Sequence, residues 1–445
     1  MATDYVADTI VAPATPAGTG GVSVIRLSGP AVEAIAETML GRLPAPRQAE
    51  LHTFSHPTGD AIDVGIALYF PGPASFTGES VLELHGHGGP MVVADIVDAA
   101  LALGARRAEA GEFAQRAFLN GKLDLAQAEA IADLIESGTS QAARAALRSL
   151  NGVFSIAVDE LATQLLELRT YVEAAIDFPE EEIDFLSDTA LKQRLDTARD
   201  AFATILDKAR TGRLLRDGFQ VVIVGRPNAG KSSLMNTLSG EDTAIVTAIA
   251  GTTRDILREQ IDLDGLAIEL VDTAGLRDDP DVVEAEGIRR AREALQSADA
   301  AICLVDASGA ETELTEAELP DGLPRLLVRN KIDLTDEVAG SAGDAINVSI
   351  RNGQGLDALK SALKNLAGFA GTSVGSFSAR QRHVDALVRA RDHFAAGVAR
   401  LTSDRAGELL AEELRLAHSA LGEITGEVTS DDLLGEIFSS FCIGK

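Results

Sequence analysis

A chain of 445 residues that is 46% hydrophobic and 24% charged has a globular composition, with room for about three cores, and is neither disordered nor fibrous. Sixty-eight acidic against thirty-nine basic residues give a net charge of −29. Such a surface repels phosphate backbones, so charge-driven nucleic-acid binding by this chain alone is disfavoured. The longest apolar runs, such as AICLV and FQVVIVG, are strand-length and too short for a bilayer span. Two cysteines, Cys303 and Cys442, make no disulfide framework, and MATDYVADTIVA carries Asp4 and Asp8 but no basic leader. Both features point to a reducing cytoplasm, with no membrane association.

Residues 1–120 mix short β-rich stretches (TIVA, GVSVIRLSG, DVGIALYF, SVLELHG) with Gly/Pro turn clusters and one helix-periodic stretch, MVVADIVDAALAL. That pattern predicts an α+β domain. Residues 121–218 turn to Ala- and Leu-rich helix, in LAQAEAIADLIESGTSQAARAALRSL and the two stretches that follow. Residues 219–371 alternate strand and helix to about Leu366, as a parallel sheet covered by helices does, and the Gly/Ser-rich linker GFAGTSVGSFS follows. Helical texture returns over 372–445. Helices on both sides of an α/β unit predict one helical domain with the α/β domain inserted, which close domain termini permit. The expected fold is multidomain, α/β plus all-α.

The insert opens with VVIVGRPNAGKSS, a hydrophobic strand running into G-x-x-x-x-G-K-S at Gly225, Gly230, Lys231 and Ser232. The glycines let backbone N–H groups face a β-phosphate, the Lys231 ammonium reaches the β/γ oxygens, and the Ser232 hydroxyl binds Mg²⁺. A glycine-rich turn is the bland alternative, but the companions of a phosphate loop follow in order. GTTRD offers Thr253 to Mg²⁺, and LAIELVDTAG ends in Asp272, Thr273, Ala274 and Gly275, where Asp272 holds Mg²⁺ through water and Gly275 senses the γ-phosphate. LLVRNKID then places Asn330, Lys331 and Asp333 after another strand, and Ser349 follows in NVSIRNGQG. The Asp333 carboxylate can accept from both N1–H and the exocyclic amine of guanine, so GTP and GDP are the expected nucleotides and ATP is disfavoured. This predicts a Ras-like P-loop GTPase whose phosphate loop and following turn also bring Ala229 and Ser233 to the nucleotide.

After DTAG comes Leu276, where Ras-like enzymes carry the glutamine that positions water. Glu284 in DDPDVVEAEGI is the best substitute; on charge pattern alone such an acidic loop is usually a solvated face.

Across nearly its full length the chain resembles the MnmE (TrmE) family of tRNA modification GTPases. The resemblance is carried by TIVAPATPAGTGGVSVIRLSG, FPGPASFTGE, LELHGHGGP, GEFAQRAFLNGKLDLAQAEAIADLI, YVEAAIDFPEEEIDF, GRPNAGKSSLMN, AGTTRD, DTAGLR and the terminal FCIGK. It implies a homodimer formed through the N-terminal domain, which binds a tetrahydrofolate one-carbon donor (5-formyl or methylene form) through Arg26, Glu83, Lys122 and Lys445. The carboxylate tail of folate wants cations and the pterin donors want a carboxylate, which suits these types. Taken alone, Glu83 reads as an alternating strand residue. The resemblance also implies K⁺ held by the Asn228 side chain with Thr247, Ile249 and Thr252, in place of an arginine finger, and it makes Glu284 the water-positioning glutamate. A monovalent cation beside the β/γ bridge offsets charge that develops during transfer. The implied reaction adds an aminomethyl-type (carboxymethylaminomethyl) group to C5 of the wobble uridine of certain tRNAs. It runs with the FAD- and NADH-dependent flavoprotein MnmG (GidA) in a heterotetramer or larger complex, with tRNA gripped mainly by that partner.

Cys442 stands fourth from the end, yet Gly444 and Lys445 make a poor prenylation box. In the family this tail folds toward the folate pocket, so Cys442 is either nucleophile or acid/base there, with Lys445 stabilising its thiolate, or part of a tail whose task is closure. Cys303 within AICLV reads as core. His85 and His87 of HGHGG share one face of an extended segment, but no third metal ligand lies at recognisable spacing. A competing function is a switch without covalent chemistry, such as a ribosome-assembly GTPase; the acidic helices and the terminal thiol count against it.

Overall fold

In the computed structural model the described residues are 8–177, 189–241, 258–272, 298–309, 319–320, 322–369, 375–404, 406–428, 430–442 and 444. They form two compact units, Met1–Ala132 with His418–Lys445, and Asp133–Ala417.

The first unit carries β1 (Ile10–Pro13), β2 (Gly20–Ser28), α1 (Val32–Leu40), β3 (Glu50–Ser55), β4 (Ala61–Phe70), β5 (Val81–Gly88), α2 (Pro90–Ala102), β6 (Arg106–Arg107), α3 (Glu112–Leu119) and α4 (Leu125–Glu136), whose last turn enters the second unit. Its six strands run in the order β3-β4-β5-β2-β1-β6. All neighbours are antiparallel except β1 and β6. Period-two alternation sorts β2 cleanly. Ile25 and Leu27 are buried in the core with Leu82, Leu84, Ile35 and Ile96, while Arg26, between them, takes the opposite face. Beneath that opposite face, Arg116 is 1% exposed and ion-paired to Asp8, Glu79 and Glu112. Burial alone would raise the Glu112 carboxyl, but Arg106, the Glu109 N–H and Arg116 hold it below the usual carboxylate range.

The second unit carries α5 (Ser140–Leu150), α6 (Val153–Asp177), α7 (Thr189–Asp217), β7 (Phe219–Val224), α8 (Lys231–Glu241), β8 (Arg258–Leu263), β9 (Leu266–Asp272), β10 (Ala300–Asp306), β11 (Arg325–Asn330), β12 (Gly340–Ala342), β13 (Ala345–Asn347), α9 (Leu356–Leu366), α10 (Gln381–Asp404) and most of α11 (Gly407–Thr425). The last helix, α12 (Asp431–Ser439), belongs to the first unit. Seven strands run in the order β12-β13-β11-β10-β7-β9-β8, parallel except for β8 and β12. Continuous apolar strands such as β7 and β10, covered on both faces, are the expected signature of a parallel sheet. LAQAEAIADLIESGTSQAARAALRSL is not one helix. Thr139 accepts from the Ala142 N–H as an N-cap, so α4 stops and α5 starts afresh.

The chain leaves the helices at Asp217 and returns to them through 375–380, and one carboxylate ties both passages. Asp133 accepts from Arg216 Nε at 2.8 Å, Arg380 Nη2 at 2.9 Å and Ser378 Oγ at 2.6 Å. Burial works against the charge on Arg216, yet Asp133 and Asp217 outweigh it and hold the guanidinium above its ordinary pKa. Phe377 stacks on Phe154 at 4.4 Å beside this group. The β8–β9 turn is gripped by the start of α5: Thr139 Oγ1 donates to the Gly265 carbonyl at 3.1 Å and Gln141 Nε2 to the Asp264 carbonyl at 2.8 Å. No helix among the described residues is long and apolar enough to cross a membrane.

Candidate functional site

Two places gather the residues singled out from sequence. The first is the carboxyl end of the seven-stranded sheet, where open α/β sheets receive ligands. Strand β7 delivers the chain to Gly225, and α8 begins at Lys231. The intervening loop closes on its own lysine: Lys231 Nζ donates to the Gly225 carbonyl at 2.8 Å and the Arg226 carbonyl at 3.2 Å. Lys231 and Ala229 are buried, whereas Asn228, Ser232 and Ser233 are exposed at the loop and the first turn of α8. Asn228 has φ +64°, a left-handed conformation that asparagine tolerates. Gly230 has φ +104°, and a Cβ there would lie 2.5 Å from Asn330 Nδ2, so this position admits no side chain.

Asn330, at the end of β11, joins three loops. Its amide donates to the Ala229 carbonyl at 2.8 Å, and its Oδ1 accepts from the Ile350 N–H at 3.2 Å. Ser349 is fully buried and its hydroxyl donates to Asp333 Oδ1 at 2.7 Å, which orients the Asp333 carboxylate. Asn228, Ala229, Gly230, Lys231, Ser232, Ser233, Asn330, Lys331, Asp333 and Ser349 therefore share one end of one sheet. The arrangement fits a purine nucleotide, with backbone N–H groups and an ammonium on the phosphate side and an aligned carboxylate on the base side. Asp272 closes β9 beside β7, paired with Ile223 in register. Thr247, Ile249, Thr252, Thr253, Thr273, Ala274, Gly275 and Glu284 lie outside the described residues.

The second place is the outer face of the N-terminal sheet. Arg26 and Glu83 are directly opposite in the β2–β5 register, and their side chains meet at 2.8 Å. The Arg26 guanidinium lies 5.4 Å from the Phe76 ring centre and 5.8 Å from that of Phe113. Glu83 also faces His85 Nε2 at 3.4 Å, while His87 pairs with Asp63 at 2.8 Å. Lys122 is exposed and donates to the Pro73 carbonyl at 3.1 Å, in the loop that carries Phe76. The structure thus brings Arg26 and Glu83 into contact, with Lys122 on a neighbouring loop; Lys445 lies outside the described residues. Sequence reading missed Phe76 and Phe113, for which an aromatic near a turn is no signal by itself.

The tail reaches β1, the strand beside β2 in the same sheet. Phe441 is buried against Phe438, with rings 5.5 Å apart, and the Gly111 N–H donates to the Cys442 carbonyl at 3.4 Å. Gly444 is buried with φ +93°, and a Cβ there would fall 2.0 Å from the Pro13 carbonyl. Pro13 ends β1, one residue after Ala12, the register partner of Arg26. The Cys442 side chain is exposed, and Cys303 is buried in β10.

Two family models match: the MnmE helical domain over residues 125–442 and the GTP-binding protein TrmE N-terminus over residues 9–122. A tRNA modification GTPase MnmE from Alkalilimnicola ehrlichii is 56% identical over 441 residues, covering 98% of this chain and 99% of that protein. One of the same name from Stutzerimonas stutzeri is 55% identical over 450 residues, with the same coverage of 98% and 99%. The likeness to a solved GTP-binding protein from Sulfolobus solfataricus in complex with GDP is loose, at 23% identity and a TM-score of 0.26 over 47% of this chain and 67% of that one. With a phosphate loop and a base-side loop set on one sheet, and relatives that match from end to end, this chain is a GTPase and belongs to the MnmE family of tRNA modification GTPases.

Proposed function

We infer that this GTPase is a potassium-activated, folate-binding half of a wobble-uridine modifying complex. With the flavoprotein MnmG (GidA) it adds an aminomethyl-type (carboxymethylaminomethyl) group to C5 of the wobble uridine of certain tRNAs, drawing on a tetrahydrofolate one-carbon unit. The observation that carries this reading is the seated tail: Gly444 packs on Pro13 of β1, the strand next to the β2–β5 pair that holds Arg26 and Glu83. A cation, a carboxylate and the exposed Phe76 ring, bordered by a C-terminal strap and backed by the buried Phe113, make a cradle suited to a flat pterin with an anionic tail. Arg26, Glu83, Lys122 and Lys445 hold the folate in this proposal. Cys442 either acts on the one-carbon unit or travels with the strap as it closes.

In the nucleotide site Lys231 and Asn228 stand on the phosphates, Ser232 and Thr253 hold Mg²⁺, and Asn228 with Thr247, Ile249 and Thr252 holds K⁺. Asp272 holds Mg²⁺ through water, Gly275 senses the γ-phosphate with Thr273 and Ala274 beside it at the nucleotide, Glu284 orients water, and Asn330, Lys331, Asp333 and Ser349 receive guanine. Homodimerisation through the N-terminal domain is supported by an apolar strip on β3 and β4, where Leu51, Val64 and Ile66 are 74%, 50% and 41% exposed. The net charge of −29 supports a division of labour in which the partner grips the tRNA in the cytoplasm.

Titration of the full chain with 5-formyltetrahydrofolate tests the reading. The wild-type chain is expected to bind, and Gly444→Ala to weaken binding about tenfold or more, because a left-handed residue with no room for a Cβ unseats the strap. No binding by the wild-type chain would sink the folate assignment. For the nucleotide site, replacing K⁺ by Na⁺ is expected to slow GTP turnover strongly, and Asn228→Ala to abolish the difference between the two ions. Equal rates in K⁺ and Na⁺ would rule out the cation as a substitute for an arginine finger.

A further inference from the structure

Strand β10 ends at Asp306 and β11 at Asn330, and these two residues are register partners in the parallel ladder. The Ala307 N–H donates to the Asn330 carbonyl at 2.8 Å, so the two strand ends are tied together where the base-side loop departs. The next residue, Lys331, has φ +67°, a conformation a lysine rarely takes, and opens the short 3₁₀ turn Ile332–Leu334 that carries Asp333. Its ammonium lies 2.6 Å from Asp306 Oδ2. The other oxygen of Asp306 is held as well, accepting from the Ser308 N–H at 3.0 Å and the Ser308 hydroxyl at 2.7 Å. The carboxylate is therefore fixed by its own loop and presents one oxygen to the lysine.

We propose that Asp306 is a positioning residue for guanine-nucleotide binding, holding Lys331 stretched between its left-handed backbone and the end of β10. This rests on the reading that Asn330–Asp333 receive guanine. A lysine stem has four rotatable bonds, and a ligand that must order it loses affinity in proportion. Tethering the ammonium to Asp306 before the nucleotide arrives removes that loss, as preorganisation does generally. It also fixes the stem within the segment that sets Asp333, so the carboxylate that reads the base is approached by a lysine of constant placement. Nothing in the residues of the phosphate loop or of N-K-x-D marks Asp306 for this role. It stands 25 residues before Lys331 and enters the site through strand pairing.

The test is a double-mutant cycle on the full chain, read as the Kd of a fluorescent GDP and as steady-state GTP turnover. Asp306→Ala is expected to raise Kd about three- to tenfold and to raise KM without a matching fall in kcat. Asp306→Asn, which keeps the shape and the Ser308 contacts, should give a smaller rise and guards against a folding defect in the alanine variant. Lys331→Ala should weaken binding at least as much, and adding Asp306→Ala to it should cause no further loss. A Kd within twofold of wild type for Asp306→Ala beside a weakened Lys331→Ala would overturn the positioning role alone. So would full additivity of the two substitutions. An unchanged Kd for Lys331→Ala would overturn the base-side reading and the proposal with it.

Discussion

Asp133→Ala is expected to cost the Asp133–Ala417 unit about 3–5 kcal/mol, the usual consequence of removing one partner from a buried ionic group. The Asp133 side chain is 5% exposed and serves two guanidinium groups and a hydroxyl at once. Without it, Arg216 and Arg380 lose the carboxylate they share, beside a cavity of about 200 Å³ that is lined by Glu136, Ser137, Arg216, Asp217 and Ser378. Repulsion between the two cations adds to the loss of hydrogen bonds. The effect should be directional as well as large, because Arg216 precedes the first strand of the inserted sheet and Ser378 and Arg380 follow its last helix. Hydrogen exchange should therefore rise at both passages together. Asp133→Asn keeps an acceptor of the same shape and should lose less. Denaturant unfolding followed by calorimetry and amide exchange measures both; a loss under 1 kcal/mol for the alanine variant would show that the hub is dispensable.

Lys231→Ala is expected to reduce GTP turnover by roughly 10²–10³-fold, the scale seen when one preorganised electrostatic donor is removed from a transfer site. Its ammonium is bonded to two carbonyls of the loop it serves, so it stands in place before any phosphate arrives and needs no reorganisation. Lys231→Arg should not rescue, since a planar fork cannot follow a point charge into a loop curled around an ammonium. Phosphate release at saturating GTP is the measurement, and a rate within threefold of wild type in either variant would contradict the assignment.

Much of the nucleotide site was legible because its chemistry is written in contiguous runs. GRPNAGKSS and NKID form their part of the site through backbone curl and adjacent side chains, so their spacing is the geometry. The same holds for β2, β5, β7 and β10, whose alternation or apolar continuity matched the elements found. Other features had no such trace. Helix α1 and strand β3 lie outside the β-rich and helix-periodic runs legible in residues 1–120, and the break between α4 and α5 depends on a single cap at Thr139. In sequence Asp133 is one more acid on a helix, since its partners stand 83, 245 and 247 residues away. Arg26 and Glu83 were singled out by likeness to a family; that they touch is a matter of strand register.

By itself the sequence determined the ligand class, the alternation of strand and helix around it, and the family. Those depend on short-range order, where bond geometry and hydrophobic period leave few choices. Only the tertiary structure decided which distant residues meet: Asp133 with Arg216 and Arg380 at the roots of the insert, Asp306 with Lys331, and Gly444 packed on Pro13. Coulomb attraction and close packing act through space, and the energy of a buried contact is the same whether its partners are neighbours in the chain or hundreds of residues apart.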